Sequence, residues 1–358
     1  MSACCNIDNF DIRTQQAVRL CIANCWPFAL YCLPYENYVY FMADPDKDIP
    51  TSMGPTFFAV PFNHNYSDRI TIRNVFDVEQ ILTYAGSKDK SFPARNFPEA
   101  DRKEYINSTG LLINELKRLG GKCVISRIFR NSLSPGRLYY TIPLLFSANP
   151  GAFRALFFSP ECGEWLVMSP ELLADADIEN KNLRTMSLAG TRPAYSHGKW
   201  DNKNIKEQRI VTETIVSDLK SLGLIPEISE CRTLTSNLVE HICTDISVRM
   251  NDGTTIENIL DKLSPTPAIA GFPKDKSLQQ IATFETHDRM LYGGYFGIND
   301  SSRLLAHVTL RCAFISGNSV YIYVGSGITP DSDANCEWDE IMLKANQFIA
   351  CFNKTTLS

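Results

Sequence analysis

Glu337, Glu340 and Lys344 stand three and four residues apart near the C-terminus, a spacing that puts all three on one face of an α-helix. Trp338, Ile341, Met342, Ala345, Phe348, Ile349 and Phe352 form an apolar stripe along the same segment, so the charged face flanks the buried one at about 100°. Lys203 and Glu207 repeat the arrangement, continuing the line of Val211, Ile215, Leu219 and Leu222 toward the buried side of a second helix. Two helices thus aim carboxylates and lysines at the border of the core. Hard oxygen donors on rigid elements suit Mg2+, which takes one or two protein carboxylates and completes its octahedron with water and anionic substrate. By spacing alone, ion pairs on a solvated helix face explain the same residues and are the commoner outcome.

Three other positions invite chemistry. Gly325-Ser326-Gly327 directly follows a strand pattern over 320–324, and the missing side chains let backbone N–H groups approach an anion; a plain turn accounts for the run as well. Arg311 falls inside a strand expected over 307–315, where a charge is costly unless a carboxylate of the protein or of a ligand pairs with it. Lys122 opens a strand expected over 122–129. It serves as a general base only if its surroundings favour the neutral amine, and an exposed lysine is the ordinary alternative.

The elements that must position these groups are legible in outline. Helical periodicity runs through Tyr105, Thr109, Leu112, Leu116 and Leu119, through 211–222, through 274–286, and most clearly through the terminal segment, which follows a polar run at 331–335 suited to an N-terminal cap. Strand-like runs occupy 122–129, 152–158, 307–315 and 319–324, the last two joined by Ser316-Gly317-Asn318 as in a hairpin. Strands in runs followed by helices point to an α+β chain rather than alternating βαβ units. No internal repeat or low-complexity linker interrupts it.

Composition narrows the function classes. With 358 residues, 44% hydrophobic and 21% charged, the chain reads as a soluble globular protein with one large core or two moderate ones. Lys plus Arg number 35 against 40 Asp plus Glu, and no basic block offers a nucleic-acid footprint. The longest apolar stretch, 25–33, contains Pro27 and falls short of the ~18 residues a membrane span needs. Residues 1–16 carry Asp8 and Asp11 and no basic segment followed by an apolar run, so no signal peptide is expected and the protein is placed in the cytoplasm. Twelve cysteines are scattered without a Cys-x-x-Cys pair, and the histidines at 64, 197, 241, 287 and 307 are dispersed. Reduced, mostly buried thiols are expected rather than disulfides or a zinc site.

Several longer motifs occur in order: Lys122-Cys-Val-Ile-Ser-Arg127, Ser169-Pro-Glu-Leu-Leu173, Leu188-Ala-Gly-Thr-Arg-Pro193, Lys203-x-x-x-Glu207, Pro265-Thr-Pro-Ala-Ile-Ala-Gly-Phe-Pro273, Asp288-Arg-Met-Leu-Tyr-Gly-Gly294, Thr309-Leu-Arg-Cys312, Gly325-Ser-Gly-Ile328 and Glu337-Trp-x-Glu340-x-x-x-Lys344. Through them residues 122–352 resemble the chorismate-binding enzymes, the family of isochorismate, salicylate, anthranilate and aminodeoxychorismate synthases. The resemblance implies a fold like that of anthranilate synthase component I, with two packed antiparallel sheets, helices outside and a deep cleft between the sheets. It implies one catalytic domain over 1–358, in which 1–100 is a reduced N-terminal part and 101–353 the catalytic core.

The same resemblance assigns roles. Glu207 and Glu340 would hold Mg2+, with Glu337 assisting through water, and the metal would grip the ring carboxylate of chorismate. Arg311, Lys344 and backbone N–H groups near Gly325 and Gly327 would hold the enolpyruvyl carboxylate, donors that suit a dianion. Gly190 and Thr191 would line the ring, and Ala268 counts among the substrate-binding positions. Lys122 resembles the lysine that activates water for attack at ring C2, and Glu171 the acid that protonates the departing C4 hydroxyl. These roles require a neutral amine and a protonated carboxyl.

Within the family, Lys122 stands where anthranilate synthases usually carry glutamine, and no Leu-Leu-Glu-Ser segment lies near the N-terminus. Use of ammonia, and an obligatory glutamine amidotransferase subunit, are therefore not expected. Ala189 occupies the position of the nucleophilic lysine of aminodeoxychorismate synthases. The 288–294 motif resembles the isochorismate-forming branch, an isomerase acting as a monomer. Salicylate formation by elimination of pyruvate and a non-catalytic chorismate-binding role stand as alternatives, and the pathway served, whether menaquinone, siderophore or salicylate, is open. Ala194, Tyr195 and Ser264 depart from the basic residues and histidine frequent at those positions.

Overall fold

Strands buried at every position are covered on both faces, and two adjacent ones, β7 (Phe153–Ser159) and β8 (Gly163–Ser169), are of this kind. They sit at the centre of one of two sheets. In the computed structural model, which describes residues 5–7, 10–50, 54–86, 92, 95–133, 137–196, 198–236 and 239–353, that first sheet runs β1 (Cys5–Asn6), β3 (Tyr38–Ala43), β2 (Phe28–Cys32), β7, β8, β17 (Cys312–Ser316), β18 (Ser319–Ile328), β6 (Lys122–Ser132) and β14 (Gly271–Phe272). The second runs β11 (Glu227–Ile228), β13 (Val239–Arg249), β10 (Asn182–Pro193), β9 (Leu172–Asp177), β16 (Arg303–Val308), β15 (Tyr295–Asn299), β4 (Thr56–Val60) and β5 (Ile70–Arg73), with β12 (Arg232–Ser236) also paired to β13. The described pairings are antiparallel, as in β6 against β18 from Cys123↔Ile328 to Ser132↔Ser319.

The sheets face each other through an aromatic layer. Tyr31, Phe153, Phe157, Trp165, Phe314, Tyr321 and Tyr323 of the first sheet meet Phe57 and Phe296 of the second. Ring centroids lie 4.8 Å apart for Phe57–Phe157 and 4.9 Å for Phe153–Phe296, the tilted geometry that ring quadrupoles favour. Helices cover the outer faces, consistent with the α+β expectation. On the first sheet lie α1 (Ile12–Asn24), α2 (Val78–Thr83), α3 (Arg102–Leu119), α4 (Arg137–Ser147), α7 (Lys274–Phe284) and α8 (Ala334–Asn353). On the second lie α5 (Asn202–Ser221) and α6 (Ile256–Leu263).

The periodic segments behave as their patterns require. Tyr105, Thr109, Leu112 and Leu116 of α3 are buried, Leu119 at its end is exposed, and the helix stops at Gly120, whose φ of 71° suits a residue without Cβ. In α5 the buried line is Val211, Ile215 and Leu219, and Asp201 caps the start by accepting from the Asn204 N–H. In α8, Trp338, Ile341, Ala345, Phe348 and Phe352 are buried. No helix among the described residues is long and apolar enough to cross a membrane. The ten cysteines whose side chains are described are free thiols, most of them buried; Cys4 and His197 lie outside the described residues.

Two expectations need correction. The run 307–315 is not one strand: β16 ends at Val308 in the second sheet and β17 begins at Cys312 in the first, with residues 309–311 carrying the chain across and Arg311 in the left-handed region at φ 47°. The β-favouring composition is continuous, but the hydrogen-bond partners change sheets. Nor does Gly325-Ser326-Gly327 follow a strand, since it lies inside β18, paired with Val124, Ile125 and Ser126.

Candidate active site

A cleft of about 940 Å3 opens between the two sheets and the ends of α5 and α8, at the upper end of the ~300–1,000 Å3 of small-molecule sites. It lies where the chain changes sheets. Pro170 and Glu171 link β8 to β9, and residues 309–311 link β16 to β17. Such crossings interrupt the ladder, and their backbone groups find partners across them: the Met168 N–H donates to the Arg311 carbonyl, and the Val308 N–H to that of Glu171. Both crossings place a charged side chain, Glu171 and Arg311, in the lining of the cleft.

Lys122 begins β6 and is 1% exposed, not the exposed lysine that residue type alone favours. Its Nζ donates to Glu207 Oε1 at 2.6 Å, a contact from strand to α5. The pair meets over Gly327, where a Cβ would lie 2.7 Å from Lys122 Cε and 2.9 Å from Glu207 Oε1. Only glycine leaves room there. Gly325, two residues back on the same face of β18, is as crowded, with Tyr292 Oη 2.7 Å from where a Cβ would stand. Beyond Tyr323 the strand β17 no longer pairs with β18, so one edge of the glycine stretch lacks a ladder partner, and Lys344 Nζ donates to the Gly325 carbonyl at 2.9 Å.

The helix carboxylates are each matched to a lysine. Lys344 pairs with Glu340 within α8 at 2.7 Å, and Lys203 of α5 with Glu337 of α8 at 3.1 Å. Of the ion pairs expected from spacing, Glu340–Lys344 is present, whereas Lys203 and Glu207, four apart on α5, pair with Glu337 and Lys122 instead, so two of the three pairs run between elements and the group faces the cleft. Burial raises Glu340 and its lysine neighbours more than offset this, leaving its carboxyl below the usual range. Burial and the adjacent Glu340 charge push Glu337 up. Burial works against the Lys203 charge, but Glu337, Glu340 and Glu207 outweigh it and raise Lys203.

Glu171 is buried, and its surroundings push its carboxyl up to about 7, desolvation outweighing the Thr266 hydroxyl, 3.4 Å from Oε1, and the charge of Lys122. Arg311 is lowered by burial to about 10, still cationic at neutral pH. Its guanidinium donates to His241 Nε2 at 3.2 Å, while Nδ1 lies 3.0 Å from the Gly190 carbonyl. This fixes a neutral tautomer, Nδ1–H donating to the carbonyl and Nε2 accepting from Arg311; burial and the arginine charge push His241 down to about 3. Gly190, at φ 70°, and Thr191 line the wall, and Asn204 Oδ1 accepts the Thr191 N–H at 3.0 Å.

The structure thus brings Lys122, Glu171, Glu207, Glu340, Gly190, Thr191, Ala268, Arg311, Gly325, Gly327 and Lys344 into one lining. Glu337 stands behind it, 2% exposed, with one oxygen held by Lys203 and the other, Oε2, buried without a hydrogen bond of normal geometry, although the Ser332 hydroxyl is near enough to favour its charge. Among the described residues no three His, Cys, Asp or Glu side chains converge as a ready-made cage. Two carboxylates at the lining with an under-bonded third behind them nevertheless fit a hard cation whose shell is completed by water and ligand.

Sequence reasoning missed His241, Asn204 and Thr266, and also a buried ion pair that supports the floor. Arg289 is bonded twice to Glu285, at 2.6 and 2.9 Å, and donates to the Val124 and Ile269 carbonyls. Glu285 accepts from the Ser126 N–H at 2.6 Å. Past the two residues of β14, these side chains serve the free edge of β6. Only the helical spacing of 285 and 289 hinted at the pair.

Residues 79–353 match the family model described as chorismate binding enzyme. Isochorismate synthase MenF of Escherichia coli (strain K12) is 34% identical over 230 residues, covering 58% of this chain and 52% of that one; the chain spans about half the length of the curated relatives it matches. Among solved structures, the menaquinone-specific isochorismate synthase MenF from Escherichia coli has a TM-score of 0.78 at 21% identity, over 96% of this chain and 91% of that one. Anthranilate synthase component I from Streptococcus pneumoniae TIGR4 has a TM-score of 0.65 at 16% identity, over 90% and 92%. The two sheets and their helices are the fold of these structures, and with the family match extending from 79 to 353 the protein belongs to the chorismate-binding enzyme family.

Proposed function

We propose that the protein converts chorismate to isochorismate, adding water at ring C2 and releasing the C4 hydroxyl as water while the ring double bonds shift. The observation that carries this reading is the placing of a buried lysine, Lys122, and a buried glutamate held near pH 7, Glu171, in one cleft with the paired carboxylates. A base and an acid in one site are what a displacement of hydroxyl by water needs. Lys122 Nζ, once released from Glu207 and after giving up its ammonium proton to solvent, accepts the proton of the attacking water as the neutral amine. Glu171, with a substantial protonated fraction at neutral pH, gives its proton to the departing hydroxyl.

Arg311 faces the enolpyruvyl carboxylate, and His241 fixes the guanidinium from behind. Lys344 supports the same carboxylate, and Gly190, Thr191 and Ala268 shape the wall against the ring. Glu207 and Glu340 would hold Mg2+, with Glu337 acting through water, and the cation would supply positive charge to the ring carboxylate. With water as nucleophile, no glutamine amidotransferase subunit is required. The 34% identity to an isochorismate synthase, against 27% to an anthranilate synthase component 1, supports the choice of product.

The test is incubation of the purified protein with chorismate and Mg2+, with and without EDTA, beside Lys122→Ala, with products separated by chromatography. Isochorismate as the main product, lost with EDTA and in the variant, is expected. Salicylate with pyruvate would transfer the assignment to a salicylate synthase. Unconsumed chorismate with folded protein would leave only a binding role.

A further inference from the structure

We propose that Lys122 and a divalent cation are alternative occupants of the Glu207 carboxylate, so that the cation enters the cleft by displacing the lysine. The inference rests on reading Glu207 as a metal-binding residue. Three carboxylates, Glu207, Glu337 and Glu340, stand here with three lysines, one bonded to each. The cluster is therefore balanced without a metal, and a dication that binds it has to replace an ammonium.

The three lysines differ in how easily they leave. Lys203 and Lys344 have side chains 46% and 31% exposed, so either can turn its flexible stem to water. Lys122 is 1% exposed, rises from a strand paired on both sides at its root, and reaches Glu207 over the bare backbone of Gly327. Its stem stands in the wall of the cleft rather than at the protein surface, and of the two other carboxylates that feel its charge, Glu340 would be held by the same cation, which leaves Glu171. Displacement by a cation therefore turns Lys122 from the helix carboxylate toward the reacting space. The 2.6 Å contact also fixes which oxygen is contested, Oε1.

The experiment measures Mn2+ binding to the full chain without chorismate, from the electron paramagnetic resonance signal of free Mn2+. Wild type is compared with Lys122→Met, Lys203→Met and Glu207→Gln, each shown to be folded by its melting curve, with Lys122→Gln replacing the methionine variant if that fails to fold. Lys122→Met is expected to bind Mn2+ on the order of tenfold more tightly than wild type, the scale of one lost hydrogen bond to a charged group, and Lys203→Met to gain less. Binding detectable only in the Lys122 variant is the extreme form of the same result. Affinity unchanged or weaker in Lys122→Met, with binding lost in Glu207→Gln, would mean that lysine and metal share the carboxylate; the proposal then fails while the metal reading stands. Equal gains in both lysine variants would reduce the effect to general charge and also overturn it. If Glu207→Gln binds like wild type, Glu207 is no ligand, and the metal reading fails together with the inference.

Discussion

Along one face of β18 the residues are Tyr321, Tyr323, Gly325 and Gly327, and along the neighbouring face of β6 they are Ile128, Ser126, Val124 and Lys122. At the tyrosine end the two sheets close on aromatic rings, with Trp165 fully buried and tilted against Tyr323 at 5.5 Å. At the glycine end the Tyr292 hydroxyl reaches over Gly325, and beyond it Lys122, Glu207, Glu171 and Arg311 line open space. β18 and β6 stay paired with each other from one end to the other, while β18 loses its other neighbour, β17, beyond Tyr323 and side-chain volume falls over the same stretch. The difference shows how a packed sandwich makes room for chemistry: two glycines at alternate positions remove the spacer, and charges that face one another replace apolar contact.

The contrast is sharpest for the groups that would do chemistry. Glu171→Gln should lower turnover of chorismate by about 10²–10⁴-fold, the usual share of a general acid, while the melting temperature at pH 8 does not fall, because the carboxylate being removed is a buried charge. A large drop in melting temperature would make Glu171 a structural residue. At the closed end the pattern reverses: Phe296→Ala should cost about 3–5 kcal/mol in a denaturant titration, with turnover per folded molecule retained. Loss of turnover there without loss of stability would break the division between the two ends.

Gly327→Ala tests the border itself. Its methyl group would press on Lys122 Cε and Glu207 Oε1, and turnover should fall about 10²-fold, since displacement by an ångström is enough for that, with stability lowered by no more than about 1–3 kcal/mol. The pH profile adds a smaller, continuous effect. With the Glu171 carboxyl near 7, turnover should decline as pH rises through about 7, and the residual activity of Glu171→Gln should lack that limb. The smallest effect concerns Glu164, buried at the start of β8 and pushed up to about 8 by burial, against a weaker opposing effect of Tyr139. The native state keeps a proton there that the unfolded chain releases near the ordinary carboxyl value, so stability falls as pH rises from that value to about 8. Glu164→Gln should narrow the difference in melting temperature between pH 5 and pH 9.

Much of this was legible before the fold. The stripes of α3, α5 and α8 follow from one-dimensional periodicity, and the ordered motifs pointed to the lining residues through family resemblance. What stayed hidden depends on partners distant in sequence. The run 307–315 reads as a strand because its residues favour one, yet the switch of sheets that places Arg311 is a property of the neighbours. His241 sits in an ordinary β13 sequence and matters because Gly190 of β10 and Arg311 of the 309–311 crossing flank its ring. Spacing revealed the Glu340–Lys344 pair but not Lys122–Glu207 or Lys203–Glu337, whose members are 85 and 134 residues apart.

The Glu285–Arg289 pair has a further consequence. A strand at the rim of a sheet exposes bare N–H and C=O groups, a template on which another chain can add. β6, which carries Lys122, is nearly such a rim, because β14 covers only Lys122 and Cys123 and the Ala270 carbonyl takes the Val124 N–H. Further along, Arg289 takes the Val124 carbonyl and Glu285 the Ser126 N–H, and the Ala100 N–H closes the Ile128 carbonyl. Side chains thus finish the sheet where a strand would have stopped the mouth of the cleft. The rim beside the lysine presents few bare backbone groups to another strand.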